Sequence, residues 1–197
     1  MPIVKIKDLI LKDVLAKREN ERYRINTTLW DEKEPSQAYK NQHVGFLGRP
    51  LLERTNLLFD FQNLKLTACK NLKDLKDVCI DQLISMPFEL EEKGIFLIAK
   101  TDAGAFRMIL DTGATISLVN TSLVQDQEYA TDHRGFKVYT THQFQIGNHD
   151  FGIKDLFLYD FSPELQDVDG VIGMDFLDRR VVYVDYPSKM LYLSDKE

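Results

Sequence analysis

The sequence predicts an all-β protein: one complete lobe of strands, preceded by part of a homologous lobe and a short connecting helix. Three observations predict it. Five runs are rich in β-branched and aromatic residues: "IFLIAK" (95–100), "AFRMIL" (105–110), "GFKVYTTHQFQI" (135–146), "FGIKDLFLYD" (151–160) and "RVVYVDY" (180–186). Polar stretches between runs, "TDAG" (101–104) and "GNHD" (147–150), have the composition of hairpin turns. The third observation is that one segment occurs twice.

The repeat sets the domain organisation. "VGFLGRPLLERTNLLFDFQNLKLTA" (44–68) aligns without a gap on "DGVIGMDFLDRRVVYVDYPSKMLYL" (169–193), matching Gly45 to Gly170, Gly48 to Gly173, Leu52 to Leu177, Arg54 to Arg179, Asp60 to Asp185 and Leu66 to Leu191. Upstream of each copy lies a similar strand pair, "VKIKDLILKDV" (4–14) and "FQIGNHDFGIKDLFL" (144–158). Residues 1–69 are therefore expected to be a partial lobe and residues 87–197 a complete one. Between them, "KNLKDLKDVCIDQLI" (70–84) spaces its leucines and isoleucines as a helix does, so residues 70–86 are expected to be a helical linker.

Composition excludes several functions. Hydrophobic residues make up 44% of the chain and aromatics 11%, enough to build a core. Acidic residues number 31 against 25 basic ones, a formal charge of −6 without a basic stripe, so no nucleic-acid partner is expected. No apolar run has the length of a membrane span, and charges interrupt the N-terminal stretch too often for a signal peptide; a soluble protein is expected. Cys69 and Cys79 lack a CxxC or Cys/His setting and are expected to be unpaired or incidentally paired thiols, a structural disulfide being the alternative. No cofactor or metal is expected. The four histidines have no ligand spacing, and Asp167, Asp169 and Asp175, which fit no calcium loop, read as a solvated acidic loop.

The chemistry is concentrated in "RMILDTGATISLVN" (107–120), where Asp111 ends an apolar strand and small polar residues follow. Together with "GVIGMDFL" (170–177), this stretch resembles the retropepsin-like aspartic proteases, the clan of retroviral proteases and pepsins. The resemblance covers roughly residues 88–197 and recurs weakly in residues 1–68. It implies a closed β-barrel lobe of the acid protease fold, an aspartic endopeptidase activity and Asp111 as a catalytic carboxylate.

The residue types suit that chemistry. Hydrolysis of a peptide by carboxylates needs one ionised group to take a proton from water and one neutral group to hydrogen-bond the carbonyl oxygen as charge develops there. Two aspartates close enough to share a proton meet both needs, because like-charge repulsion keeps one of them protonated. Thr112 can hydrogen-bond across two such loops, Gly113 lets its amide face the carboxylate, and Ala114 leaves room for substrate. Ser117 resembles the family's outer hydroxyl. Ile172 supplies apolar cover beneath the loop, and Gly173 has no side chain to obstruct a neighbouring strand. The resemblance further implies a flap, for which the candidate is "YATDHRGFKVYT" (129–140) with Asp132, His133, Arg134 and Gly135 at the tip.

One D-T-G occurs in the chain, and the mechanism needs two. Gly173 stands 62 residues after Asp111; counting 62 back from Gly48 ends at −14, ahead of residue 1. The second carboxylate is thus expected from another chain, in a homodimer, or from sequence preceding residue 1, the partner otherwise being a peptide or protein substrate. The alternatives are a peptide-binding or regulatory module that kept the fold without the chemistry, and a scaffold whose residues 1–84 hold the enzyme inactive.

Overall fold

The computed structural model describes residues 3–6, 9–12, 55–61, 65–69, 75 and 82–195. It divides into two compact units, Met1–Thr55 and Asn56–Glu197. In the first unit, β1 (Ile3–Ile6) and β2 (Leu9–Lys12) pair antiparallel, with Ile6 opposite Leu9. Of the first repeat copy, Gly45, Gly48, Leu52 and Arg54 lie outside the described residues, as do Cys79 and most of the expected linker helix.

The second unit is built of strands. In chain order they are β3 (Asn56–Asp60), β4 (Lys65–Cys69), β5 (Leu83–Pro87), β6 (Glu89–Glu91), β7 (Gly94–Thr101), β8 (Gly104–Leu110), β9 (Leu118–Asn120), β10 (Ala130–Thr131), β11 (Lys137–Thr141), β12 (Gln145–Ile146), β13 (His149–Asp150), β14 (Lys154–Tyr159), β15 (Gly170–Ile172), β16 (Val181–Asp185) and β17 (Met190–Ser194). A single turn of helix, α1 (Met174–Leu177), follows β15. The expected runs thus form strands, with two differences. Residues 83–86, expected as the end of the linker helix, belong to β5, because β5 pairs with β17 from Leu83↔Ser194 to Pro87↔Met190 and that ladder overrides the local periodicity. The run 135–146 breaks after Thr141: the Asp102 carboxylate accepts from the His142 amide at 2.6 Å, and the Thr141 hydroxyl donates to the Gln143 carbonyl at 2.7 Å.

A ten-stranded sheet in the order β10-β11-β14-β9-β15-β8-β7-β12-β13, with β6 on β7, carries the D-T-G. Leu97, Met108, Leu156 and Ile172 are among its fully buried side chains. Most pairs are antiparallel, but β15 lies parallel to β8 with Ile172 opposite Leu110. This register decides where the chemistry goes: Asp111 and Gly173, the next residue of each strand, leave the sheet side by side. Among the described residues no helix is long and apolar enough to cross a membrane.

The second sheet has the order β4-β3-β16-β17-β5. Strands β3 and β4, expected in the partial lobe, fold here with the complete one. Burying Leu57 and Leu58 against β16 favours that docking by roughly 1.5–3 kcal/mol each. The hairpin β3–β4 and the hairpin β16–β17 occupy matching positions of the internal repeat and have matching registers, Leu58↔Thr67 in one and Tyr183↔Tyr192 in the other. Cys69, on β4, has its thiol beside the Tyr183 hydroxyl, whose pKa burial pushes well above the usual phenol range.

Candidate active site

Asp111 is exposed at the end of β8, and so are Thr112 and Gly113. The loop is tied to the β15 end by its backbone: the Asp111 amide donates to the Ile172 carbonyl at 3.0 Å, and the Met174 amide donates to the Ala114 carbonyl at 2.8 Å. The Gly113 amide donates to Asp111 Oδ1 at 2.8 Å, which fixes one carboxylate oxygen. A Cβ on Gly113 would stand 3.1 Å from that same Oδ1, a tight contact that the carboxylate would have to relieve by shifting.

Gly173 is required more strictly. A Cβ there would stand 2.6 Å from the Ile116 carbonyl oxygen and 2.9 Å from that of Ala114, both of them backbone atoms of the D-T-G loop. Ile172 is fully buried beneath the loop.

Ser117 is fully buried and joins the two loops through its hydroxyl, which accepts from the Gly173 amide at 3.1 Å and donates to Asp175 Oδ1 at 2.6 Å. Asp175 Oδ2 in turn accepts from Lys154 Nζ at 2.6 Å. The acidic residues expected as a solvated loop are therefore corrected on two counts. The Asp175 side chain is 24% exposed and holds Ser117, while the Asp169 carboxylate accepts from the Arg107 amide at 2.7 Å and so closes the β8–β15 ladder. Asp167 is ion-paired with Lys93 and near Arg107; the Lys93 ammonium, with Arg107 adding to it, holds its pKa below the usual carboxylate value against the opposing effect of burial. Among the described residues no cluster of histidine, cysteine or carboxylate side chains has a metal-binding arrangement.

The Ser117–Asp175–Lys154 chain yields a stability prediction. Asp175→Ala leaves the buried Ser117 hydroxyl and the ammonium of Lys154, whose side chain is 13% exposed, without their acceptor, and should cost about 1–3 kcal/mol in urea unfolding. Asp175→Asn retains an acceptor for Ser117 and should cost less. Equal unfolding of wild type and Asp175→Ala would contradict the account.

The segment expected as a flap is a hairpin of β10 and β11 whose turn contains Asp132, His133, Arg134 and Gly135. Gly135 has φ +88°, a conformation that favours glycine. Asp132 organises the tip, accepting from the Arg134 amide at 2.8 Å, the Phe136 amide at 2.9 Å and Arg134 Nε at 2.9 Å. Burial raises its pKa, but the Phe136 and Arg134 hydrogen bonds and the Arg134 charge outweigh it, leaving the group below its ordinary value. A lowered carboxylate pKa stabilises the fold above the unfolded value, about 3.9, and the contribution is lost as pH falls through the lower folded value. The Arg134 and Phe136 amides should accordingly stay protected from hydrogen exchange at pH values where a free aspartate is half protonated, and lose protection only in stronger acid. Early loss would show that Asp132 does not hold the tip.

No family model and no curated protein matches the chain. Among solved structures it is similar to a retropepsin-like aspartic protease from Rickettsia conorii, at 16% identity and a TM-score of 0.41 over 56% of this chain and 90% of that one. It is also similar to an aspartic proteinase from Irpex lacteus, at 14% identity and a TM-score of 0.46 over 73% of this chain and 56% of that one. A third similarity is to the retroviral protease-like domain of Ddi1 from Leishmania major, at 14% identity and a TM-score of 0.32 over 43% of this chain and 74% of that one.

Proposed function

We propose that the chain is the Asp111-bearing part of an aspartic endopeptidase. The observation that supports this most is the presentation of Asp111: an exposed carboxylate at a strand end, one oxygen fixed by the Gly113 amide, in a loop latched to Gly173 and Ser117. A second carboxylate, from another chain or from sequence ahead of residue 1, faces it and shares its proton. The ionised member takes a proton from water, whose oxygen attacks the peptide carbonyl carbon. The protonated member gives its proton to the carbonyl oxygen; the C–N bond then breaks and the amine leaves with a proton. An extended substrate lies between this floor and the β10–β11 hairpin, hydrogen-bonded as a strand.

The test is cleavage of an unfolded protein, from acidic to neutral pH, by the form that carries both carboxylates, together with binding of a statine-type peptide. Cleavage blocked by the statine supports the proposal. A folded form that binds the peptide without cleaving any substrate would establish the binding-module reading in its place.

A further inference from the structure

We infer that Lys154, on the strand that pairs with β11 of the β10–β11 hairpin, is a positioning residue for Asp111, acting through Asp175 and Ser117; the inference rests on the reading of Asp111 as a reacting carboxylate.

The place of Lys154 in its strand carries the argument. Side chains alternate between the two faces of a strand, so Lys154 is in phase with Leu156 and Leu158 on β14. Leu156 is fully buried and Leu158 packs against the core. Asp155, out of phase, is exposed and accepts from the Thr140 hydroxyl at 2.7 Å. A lysine in the core phase carries a desolvation cost that an apolar residue would not. Its side chain is 13% exposed, and its ammonium lies 2.6 Å from Asp175 Oδ2 and 6.0 Å from the centre of the Phe176 ring. Replacing a sheltered ion pair by apolar residues of similar volume is often neutral or stabilising. Stability therefore does not account for the pair, whereas the direction it imposes on Asp175 does.

What it directs is the loop that carries Asp111. Asp175 gives one oxygen to the Lys154 ammonium and the other to the Ser117 hydroxyl proton, at 2.6 Å in each case. With its proton committed to Asp175, the hydroxyl presents a lone pair to the Gly173 amide at 3.1 Å. The two loops close around that bond: the Asp175 amide donates to the Thr115 carbonyl at 3.2 Å, beside the Met174–Ala114 and Asp111–Ile172 bonds. Without the ammonium, the Asp175 carboxylate is free to turn toward solvent and Ser117 loses its acceptor. The other end of this chain of contacts meets the hairpin. Lys154 pairs with Thr141, the last residue of β11, and further along β14 the Phe157 amide donates to the Ser117 carbonyl at 3.0 Å. Strand β14 thus holds Ser117 by its backbone and by its side chain, so the root of the hairpin and the Asp111 loop share one support.

The test compares the 197-residue chain with Lys154→Met, which keeps the stem and removes the charge, and with Lys154→Arg, which keeps the charge. Hydrogen exchange of single amides is followed by NMR. The inference predicts that Lys154→Met speeds exchange at Gly173 and Met174 by more than about tenfold relative to the β7–β8 ladder, while Lys154→Arg keeps both near the wild-type rate. Unchanged exchange at Gly173 and Met174, or a loss of protection spread evenly over the sheet, overturns it. If Lys154→Met does not fold, the double variant Lys154→Met/Asp175→Asn, which retains an acceptor for Ser117, is read in the same way. In the form that carries both carboxylates, Lys154→Met should lower kcat by more than about tenfold with KM within about twofold, and Lys154→Arg should retain kcat. A wild-type kcat in Lys154→Met also overturns the inference. Faster exchange at Gly173 and Met174 in a protein that cleaves nothing, even with both carboxylates present, upholds the hold of Lys154 on the loop and defeats the protease reading.

Discussion

Asp111→Asn should abolish peptide cleavage by the form that holds both carboxylates while leaving the fold unchanged. The amide cannot take a proton from water, and the loss of a positioned acid–base group lowers rates by about 10²–10⁴-fold; the loss of the shared proton removes the neutral partner's role as well. Because Asp111 is exposed, and an asparagine oxygen can still accept from the Gly113 amide, the unfolding free energy should change by no more than about 0.5 kcal/mol. Asp111→Ala should be equally inactive. Cleavage surviving in both variants, measured on an unfolded protein substrate, would place the chemistry elsewhere.

The second large effect is expected at Gly173. An added methyl would stand 2.6 Å from the Ile116 carbonyl oxygen and 2.7 Å from its carbon, and neither backbone atom can rotate away. Gly173→Ala should destabilise the fold by about 1–3 kcal/mol, lowering the melting temperature by roughly 2–12 °C. It should also reduce activity, because the loop it displaces is the one that carries Asp111. Gly113→Ala is the informative contrast. Its methyl meets only the Asp111 carboxylate, so stability should hold while activity falls. Calorimetric melting of the two variants separates these cases; a Gly173→Ala protein that melts with the wild type would show that the loops are not held this tightly.

The site was legible in the sequence where its residues are neighbours. Asp111, Thr112, Gly113 and Ala114 are contiguous, and the strand that delivers them is marked by its own apolar run. Gly173 was legible through the repeat, whose matched glycines single it out. The Ser117–Asp175–Lys154 chain was not: its members are 58 and 21 residues apart, and a lone acid two residues after a glycine has no local signature. Its traces were Ser117, picked out by the family resemblance, and the place of Asp175 inside the second repeat copy. The strand at Leu83–Pro87 was hidden because the leucine spacing of the preceding stretch runs on into it, and only its pairing with β17 decides the matter. The seat of β3 beside β16 was likewise invisible, since a repeat shows that two segments are alike and not that they pair.

The central claim is that Asp111 works as one of two carboxylates on a single water. The measurement that tests it most directly is a crystal structure of the form that carries both, bound to a peptide whose hydroxyl mimics the tetrahedral intermediate. The account predicts that hydroxyl between Asp111 and a second acidic side chain, within hydrogen-bond distance of both. A mimic bound away from Asp111, or an Asp111 with no acidic residue opposite it, would contradict the account.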